Sequence, residues 1–273
     1  MIPSESALLR YTRSGVDVDD IVAALQDGRI DESGLFVFET VPICNARDLN
    51  DPASLDREGF VLLEHQTSVK DFDDSYQISR IYTSELETLV SRATGAKRAA
   101  VFEHTRRSSL VVDPRSPGKL GSPVRFVHND FSSNTAVRAI REHFEGDPKT
   151  AEALASKRFA IITIWRSTSG VVRGFPLAVC DATSVSDGDI IHIKRLGKGM
   201  RTHENFLAKF NPKHKWFYFP EMTMDEALLF KCYDSAIGDV SRMTLHSAFE
   251  EPNASQVPSV RHSIESRCLA FYD

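Results

Sequence analysis

The chain has little of what would settle its class at a glance. Of its 273 residues only four are cysteine, Cys44, Cys180, Cys232 and Cys268, with no CxxC pair among them. That spacing excludes a zinc knuckle and a vicinal redox pair. Three of the four sit in apolar runs, where a free thiol behaves as a small buried hydrophobe. No apolar run approaches the ~20 residues needed to span a bilayer. The first residues, MIPSESALLRYTRSG, lack the apolar stretch of a signal peptide. Positive charge is not in excess either. Thirty-three Lys and Arg against 38 Asp and Glu give a formal net charge of −5, and the doublets Arg106-Arg107 and Lys194-Arg195 are isolated. Nucleic acid and membrane are therefore not expected partners. The expectation is a soluble, cytoplasmic protein.

There is no internal repeat and no low-complexity segment. A chain of this length, 41% hydrophobic, can bury a large core as a single domain over residues 1–273. Strand-like runs lie at 34–44 and 59–65, and a helix over 82–96 has Thr83 or Ser84 as its cap and Gly95 as its stop. RAAVFEHT reads as a strand, SSLVVDPRSPGKLGSPV as a connector, and NTAVRAIREHFEG and DPKTAEALASKR as two further helices. From Phe159 onward the character changes to short strands separated by turn residues: FAIITIW, PLAVCD, DIIHIKR, KWFYFP, EALLFKCYD and RHSIESRCLAFYD. Such spacing favours a sandwich or barrel over a βαβ sheet. The expected fold is mainly β with flanking helices. Its core is a double-stranded β-helix, the cupin-like jelly roll, at about 111–273, with an α/β extension at about 1–110 packed on it.

Chemistry concentrates in VRFVHNDF. On a strand, His128 and Asp130 leave the same face, and an imidazole beside a carboxylate offers two ligands of a facial metal triad. H-x-D alone is weak, since a surface His near an Asp gives the same string. A distal His246, in TLHSAFEEP after the strand EALLFKCYDS, supplies the third ligand if a jelly roll joins these strands at one open end. His104 ranks next, as a neighbour of the site. His143, His192, His203 and His214 lack the context. In the last strand Arg261, Ser263, Glu265 and Arg267 alternate onto one face. An inward Arg with a Ser two residues on can take the distal carboxylate of a dicarboxylate co-substrate. A solvated face with a Glu265–Arg267 ion pair is the competing account.

These strings, together with GFPLAVCD, NPKHKWFYFPEMTMDEALLFKCYDS and RHSIESR, resemble the fungal hydroxylase/desaturase family, which includes aspergillic-acid hydroxylase-like and cephem-methoxylase-like proteins. The likeness runs in order from about Gly34 to the C-terminus. It implies a jelly roll holding mononuclear Fe(II) and oxidative tailoring of small molecules in secondary metabolism, with 2-oxoglutarate and dioxygen as co-substrates. His128, Asp130 and His246 fall on its metal triad. Arg261 with Ser263 falls where such folds anchor 2-oxoglutarate, with Arg267 as the alternative anchor. The outcome would be hydroxylation, desaturation or ring closure of a small, amino-acid-derived substrate. Arg106, Arg107, Arg166 and Tyr218 are the candidate substrate contacts, and a homodimer is the default assembly. Two other readings stay open: an Fe(II) oxidase that does not use 2-oxoglutarate, and a non-redox jelly-roll binding protein or isomerase.

Overall fold

Alternation of apolar and polar residues makes the first strand legible in the structure, a computed structural model that describes residues 4–27, 34–110, 120–196, 202–251 and 260–273. In β1 (Ser4–Thr12), Ala7, Leu9 and Tyr11 are buried while Leu8 is exposed. After α1 (Val18–Asp27), β2 (Phe36–Asn45) pairs with β1 antiparallel along its whole length, and β3 is Phe60–Glu64. The predicted helix then begins earlier than its periodicity indicated. A short α2 (Ser75–Gln77), capped by Asp74, runs through a π turn (Ile78–Tyr82) into α3 (Thr83–Thr94). Gly95, at φ 72°, closes α3 in the left-handed conformation that a residue without Cβ adopts without strain.

The rest of the chain is β4 (Arg98–Ser108), β5 (Leu120–Gly121), β6 (His128–Asn129), α4 (Ser133–His143), α5 (Pro148–Ala155), β7 (Phe159–Ser167), β8 (Leu177–Cys180), β9 (Ile190–Leu196), β10 (Thr202–Ala208), β11 (Trp216–Tyr218), β12 (Glu226–Asp234), β13 (His246–Ala248) and β14 (His262–Phe271). They form two sheets, ordered β1-β2-β11-β8-β13-β6-β10-β9 and β3-β12-β7-β14-β4-β5. The result is the expected double-stranded β-helix.

The core lies where the inner faces of the two sheets meet. Phe159, Ile161 and Trp165 of β7, Phe230 of β12, and Leu269 and Phe271 of β14 pack there with Val179 of β8 and Phe217 of β11. Ala136, Ala139 and Ile140 of α4 close one end of this cluster. On the far side of the second sheet, Leu86, Leu89 and Val90 of α3 cover Ile162, Ile164, Leu229 and Cys268. Each such side chain, fully removed from water, contributes about 1.5–3 kcal/mol.

Sheet order changes one expectation. The first 110 residues are not an extension laid on a finished core. They supply β1 and β2 to one sheet and β3 and β4 to the other, with β4 hydrogen-bonded along β14. The four-strand contribution was hidden because β2, β3 and β4 join the sheets through β11, β12 and β14, more than a hundred residues away.

Candidate functional site

Three elements bring the metal-ligand candidates together. β6 is only two residues long, and His128 on it is the antiparallel Cα partner of His246 on β13. Their rings are 4.2 Å apart between centroids. Asp130 follows β6 at the bend that leads into α4. Ligand atoms of His128, Asp130 and His246 all lie within 4.8 Å of one another, which fits one ion with three donors on one side and open positions on the other.

The donor atoms are prepared for a metal. Nδ1 of His128 lies 2.8 Å from the Phe126 carbonyl, and Nδ1 of His246 lies 3.0 Å from the Thr244 carbonyl. A carbonyl only accepts, so each Nδ1 carries the proton and each Nε2 keeps its lone pair free. Burial, then the neighbouring His246, lowers the His128 pKa to about 4. The 3.6 Å approach of its Nε2 to Asp130 Oδ1 is therefore between two ligand atoms rather than an ion pair. Burial opposes charge on Asp130, yet Arg267 and the two imidazoles hold its carboxyl well below the usual range.

β14 is buried on both faces; Arg261, just before it, and Ser263, Glu265 and Arg267 on it are all buried, and Leu269 and Phe271 of the same parity enter the inter-sheet core. Arg267 does not have a free guanidinium. It donates to Asp130 Oδ2 through Nη2 at 2.7 Å and Nε at 3.2 Å, and also binds Glu265 and Glu103. As the alternative dicarboxylate anchor it would have to give up these partners.

Arg261 differs. It reaches the carbonyl of Phe175 and lies over the Trp165 ring, but has no carboxylate partner among the described residues. Its Nε and the Ser263 hydroxyl find no hydrogen-bond partner there. Burial, and then the charge of Arg107, lowers the Arg261 pKa to about 9. A buried cation with no carboxylate in ion-pair range among the described residues, two positions from an unpartnered hydroxyl, suits an anionic ligand.

In front of the triad opens a cleft of about 850 Å³, lined by His128, Asp130 and Arg267, by Phe102, Phe126 and Phe131, and by polar groups that include Arg107, Arg195, His203 and Asn205. Its size is that of a small-molecule site.

The predicted substrate contacts divide. Arg107 lines the cleft, engaged with Glu265 and the Ser122 carbonyl. Arg106 does not: one residue out of phase on β4, it binds the Phe72 carbonyl and Asp73. Arg166 is fully buried on the α3 side, bound to the Met224 carbonyl and His65. Tyr218 packs edge-on against Phe249 in the cluster outside the first sheet. All three corrections have one cause, strand parity. Arg195, His203 and Asn205 were missed because the β9–β10 hairpin read as a polar surface; its pairing of His203 with Arg195 and Asn205 with Ile193 puts them on one face.

A family model described as an oxidoreductase/YMDC permease-like domain matches residues 13–271, although no helix among the described residues is long and apolar enough to cross a membrane. The hydroxylase/desaturase CTB9 of Cercospora beticola is 34% identical over 86% of this chain and 76% of its own. The alpha-ketoglutarate-dependent dioxygenase phiK of a fungal species is 30% identical over 80% of this chain and 79% of its own. The solved structure of the iron and alpha-ketoglutarate-dependent endoperoxidase NvfI superimposes with a TM-score of 0.80 at 24% identity, covering 98% of this chain and 97% of that one. At that identity it speaks for the fold. With the relatives and the triad, the sequence resemblance is confirmed, and the chain belongs to the non-haem iron, 2-oxoglutarate-dependent hydroxylase/desaturases.

Proposed function

We propose that His128, Asp130 and His246 hold Fe(II) and that Arg261 with Ser263 takes the distal carboxylate of 2-oxoglutarate. On this reading the enzyme oxidises a C–H bond of a small, amino-acid-derived secondary-metabolite intermediate by hydroxylation, desaturation or ring closure. The observation that carries it is the pair of imidazoles whose Nδ1 protons are both fixed by backbone carbonyls, so that both Nε2 atoms keep a free lone pair in a group that includes Asp130.

When bound, the metal supplies the redox chemistry: dioxygen is activated with oxidative decarboxylation of 2-oxoglutarate to succinate and carbon dioxide. The chain's own part is binding, orientation and dryness. The imidazoles and Asp130 hold one face of the ion. Arg261 and Ser263 satisfy their orphaned donors on the dicarboxylate. Phe102, Phe126 and Phe131 line the approach and limit water. Arg195, whose Nε is buried without a partner among the described residues, and Asn205 meet the polar end of the substrate.

All four thiols are free, which suits the reducing cytoplasm. A homodimer is the expected assembly, checked by sedimentation.

The test is the ratio of succinate formed to substrate consumed. One succinate per turnover is expected. Dioxygen uptake without succinate would favour an iron oxidase. If H246A bound small-molecule ligands unchanged and needed no metal, the non-redox reading would stand instead.

A further inference from the structure

Arg267 lies in the metal cleft, yet its fork is turned on a ligand rather than on open space. Its Nη2 and Nε both donate to Oδ2 of Asp130, at 2.7 and 3.2 Å. The other oxygen, Oδ1, faces His128 Nε2 at 3.6 Å. The carboxylate is thus divided in function, one oxygen for the guanidinium and one for the imidazole side.

The guanidinium is in turn fixed. Glu265, two residues back on the same strand face, binds Nη2, and Glu103, its Cα partner on β4, binds Nη1 at 2.9 Å. Thr105 of β4 is 3.5 Å from Nη1. Glu265 is itself held from its other oxygen by Arg107 at 3.3 Å. The chain Asp130–Arg267–Glu265–Arg107 alternates in sign, and it runs from the metal-ligand bend to the neighbourhood of Ser263, whose Cα partner on β4 is Arg107.

We infer that Arg267 is a positioning residue that holds Asp130 Oδ2 so that the carboxylate presents a single oxygen to the metal, with Glu265 and Glu103 fixing the guanidinium. A carboxylate free to chelate with both oxygens would occupy one more coordination position. Three single-atom ligands leave three positions, the number that a chelating 2-oxo acid and dioxygen require. Only a planar fork fits this role; an ammonium is a point charge on a flexible stem and cannot hold the carboxylate plane. The inference rests on the triad reading given above.

The experiment titrates metal-free protein with cobalt(II) chloride and records the visible d–d absorption, for the wild type and the variants R267K, R267Q and H246A. For R267K we expect folded protein, cobalt affinity reduced about 10- to 100-fold as for other residues that orient ligands, and an altered d–d spectrum. 2-Oxoglutarate added to the cobalt form should still bind. Unchanged affinity and spectrum in folded R267K and R267Q would overturn the inference. So would normal cobalt binding with loss of 2-oxoglutarate binding, which would make Arg267 a co-substrate ligand. If R267Q alone does not fold because Glu265 keeps only its Arg107 partner, the double variant R267Q/E265Q removes one buried charge of each sign and takes its place. H246A separates the two levels. If H246A binds cobalt like the wild type, the triad reading fails. If H246A loses cobalt while R267K keeps it with an unaltered spectrum, only the clamp fails.

Discussion

Arg261 sets the electrostatic tone of the interior, because a guanidinium with no carboxylate partner among the described residues destabilises the protein in which it is buried. That gives a test in which stability and function move in opposite directions. R261M, which keeps apolar volume over Trp165, is expected to leave urea-unfolding stability of the metal-free enzyme unchanged or higher by about 1 kcal/mol. It should raise the KM for 2-oxoglutarate about 30-fold or more, since truncating a buried charge partner costs ~2–5 kcal/mol. A stability loss with unchanged KM would show that Arg261 is structural. His104 makes a different case. Its Nε2 meets Thr83 Oγ1 at 3.0 Å and its Nδ1 meets Ser266 Oγ at 2.8 Å, and burial lowers its pKa to about 4. Its folded pKa is below the unfolded value of ~6.5, so between those values the unfolded chain binds the extra proton. Stability then rises with pH across that window. Relative to H104Q, the wild type should lose on the order of 2 kcal/mol as pH falls from 6.5 towards 4, discounted for partial exposure. Urea denaturation at pH 6.5 and pH 4.5 reads this directly; parallel losses in both proteins would refute it. The candidate metal ligands were legible at this scale because His-x-Asp and a late histidine are sequence patterns. The Glu265 partner of Arg267 was legible as a pair two residues apart, but Asp130 was not, since nothing in the string R-H-S-I-E-S-R says which distant acid its fork will reach.

Single elements show why strand parity defeated part of the reading. β7 is buried at all nine positions, so it carries no alternation, and Trp165 in the inter-sheet core puts Arg166 against α3 simply by being its neighbour. The β14 face was legible because polar residues, Arg261, Ser263, Glu265 and Arg267, recur at every second position. The turn carrying Asp130 depends on a device that sequence does announce, the start of α4. Ser132 Oγ accepts from the Thr135 backbone N–H, Thr135 Oγ1 accepts from the Ser132 N–H at 2.8 Å, and Ser132 Oγ donates to Glu204 of β10 at 2.9 Å. S132A is expected to lower stability by about 1 kcal/mol, the usual cost of a lost N-cap. Cobalt affinity should weaken less than in R267K, because Arg267 still holds Asp130. Thermal unfolding and cobalt titration of the same preparation check both halves, and a stability loss under ~0.3 kcal/mol would count against the cap.

Across the whole molecule, the fold class could be read from the procession of short strands after Phe159, but the contribution of the first 110 residues could not. Pairing of β3 with β12 and of β4 with β14 depends on contacts between segments far apart in sequence, where local pattern is silent. Gly59, at the entry to β3, shows how far that dependence goes. Its φ is +90°, and a Cβ placed there would lie 2.3 Å from Thr244 Oγ1 and 2.7 Å from Ser241 Oγ. Its carbonyl accepts from Thr244 Oγ1 at 2.9 Å and from the Lys231 N–H at 2.8 Å. The Thr244 carbonyl is the group that receives the Nδ1 proton of His246. A methyl at position 59 therefore strains a left-handed backbone and pushes on the segment that fixes the candidate ligand His246, 187 positions later in the numbering. G59A is expected to destabilise by about 2–4 kcal/mol and to weaken cobalt binding although no ligand has changed. T244V is the companion variant, since it removes the hydroxyl bond to Gly59 while keeping the carbonyl that holds His246. It should lose stability by about 1–2 kcal/mol with a smaller effect on cobalt affinity. If G59A unfolded at the wild-type urea concentration with wild-type cobalt affinity, the N-terminal segment would have no hold on the distal histidine.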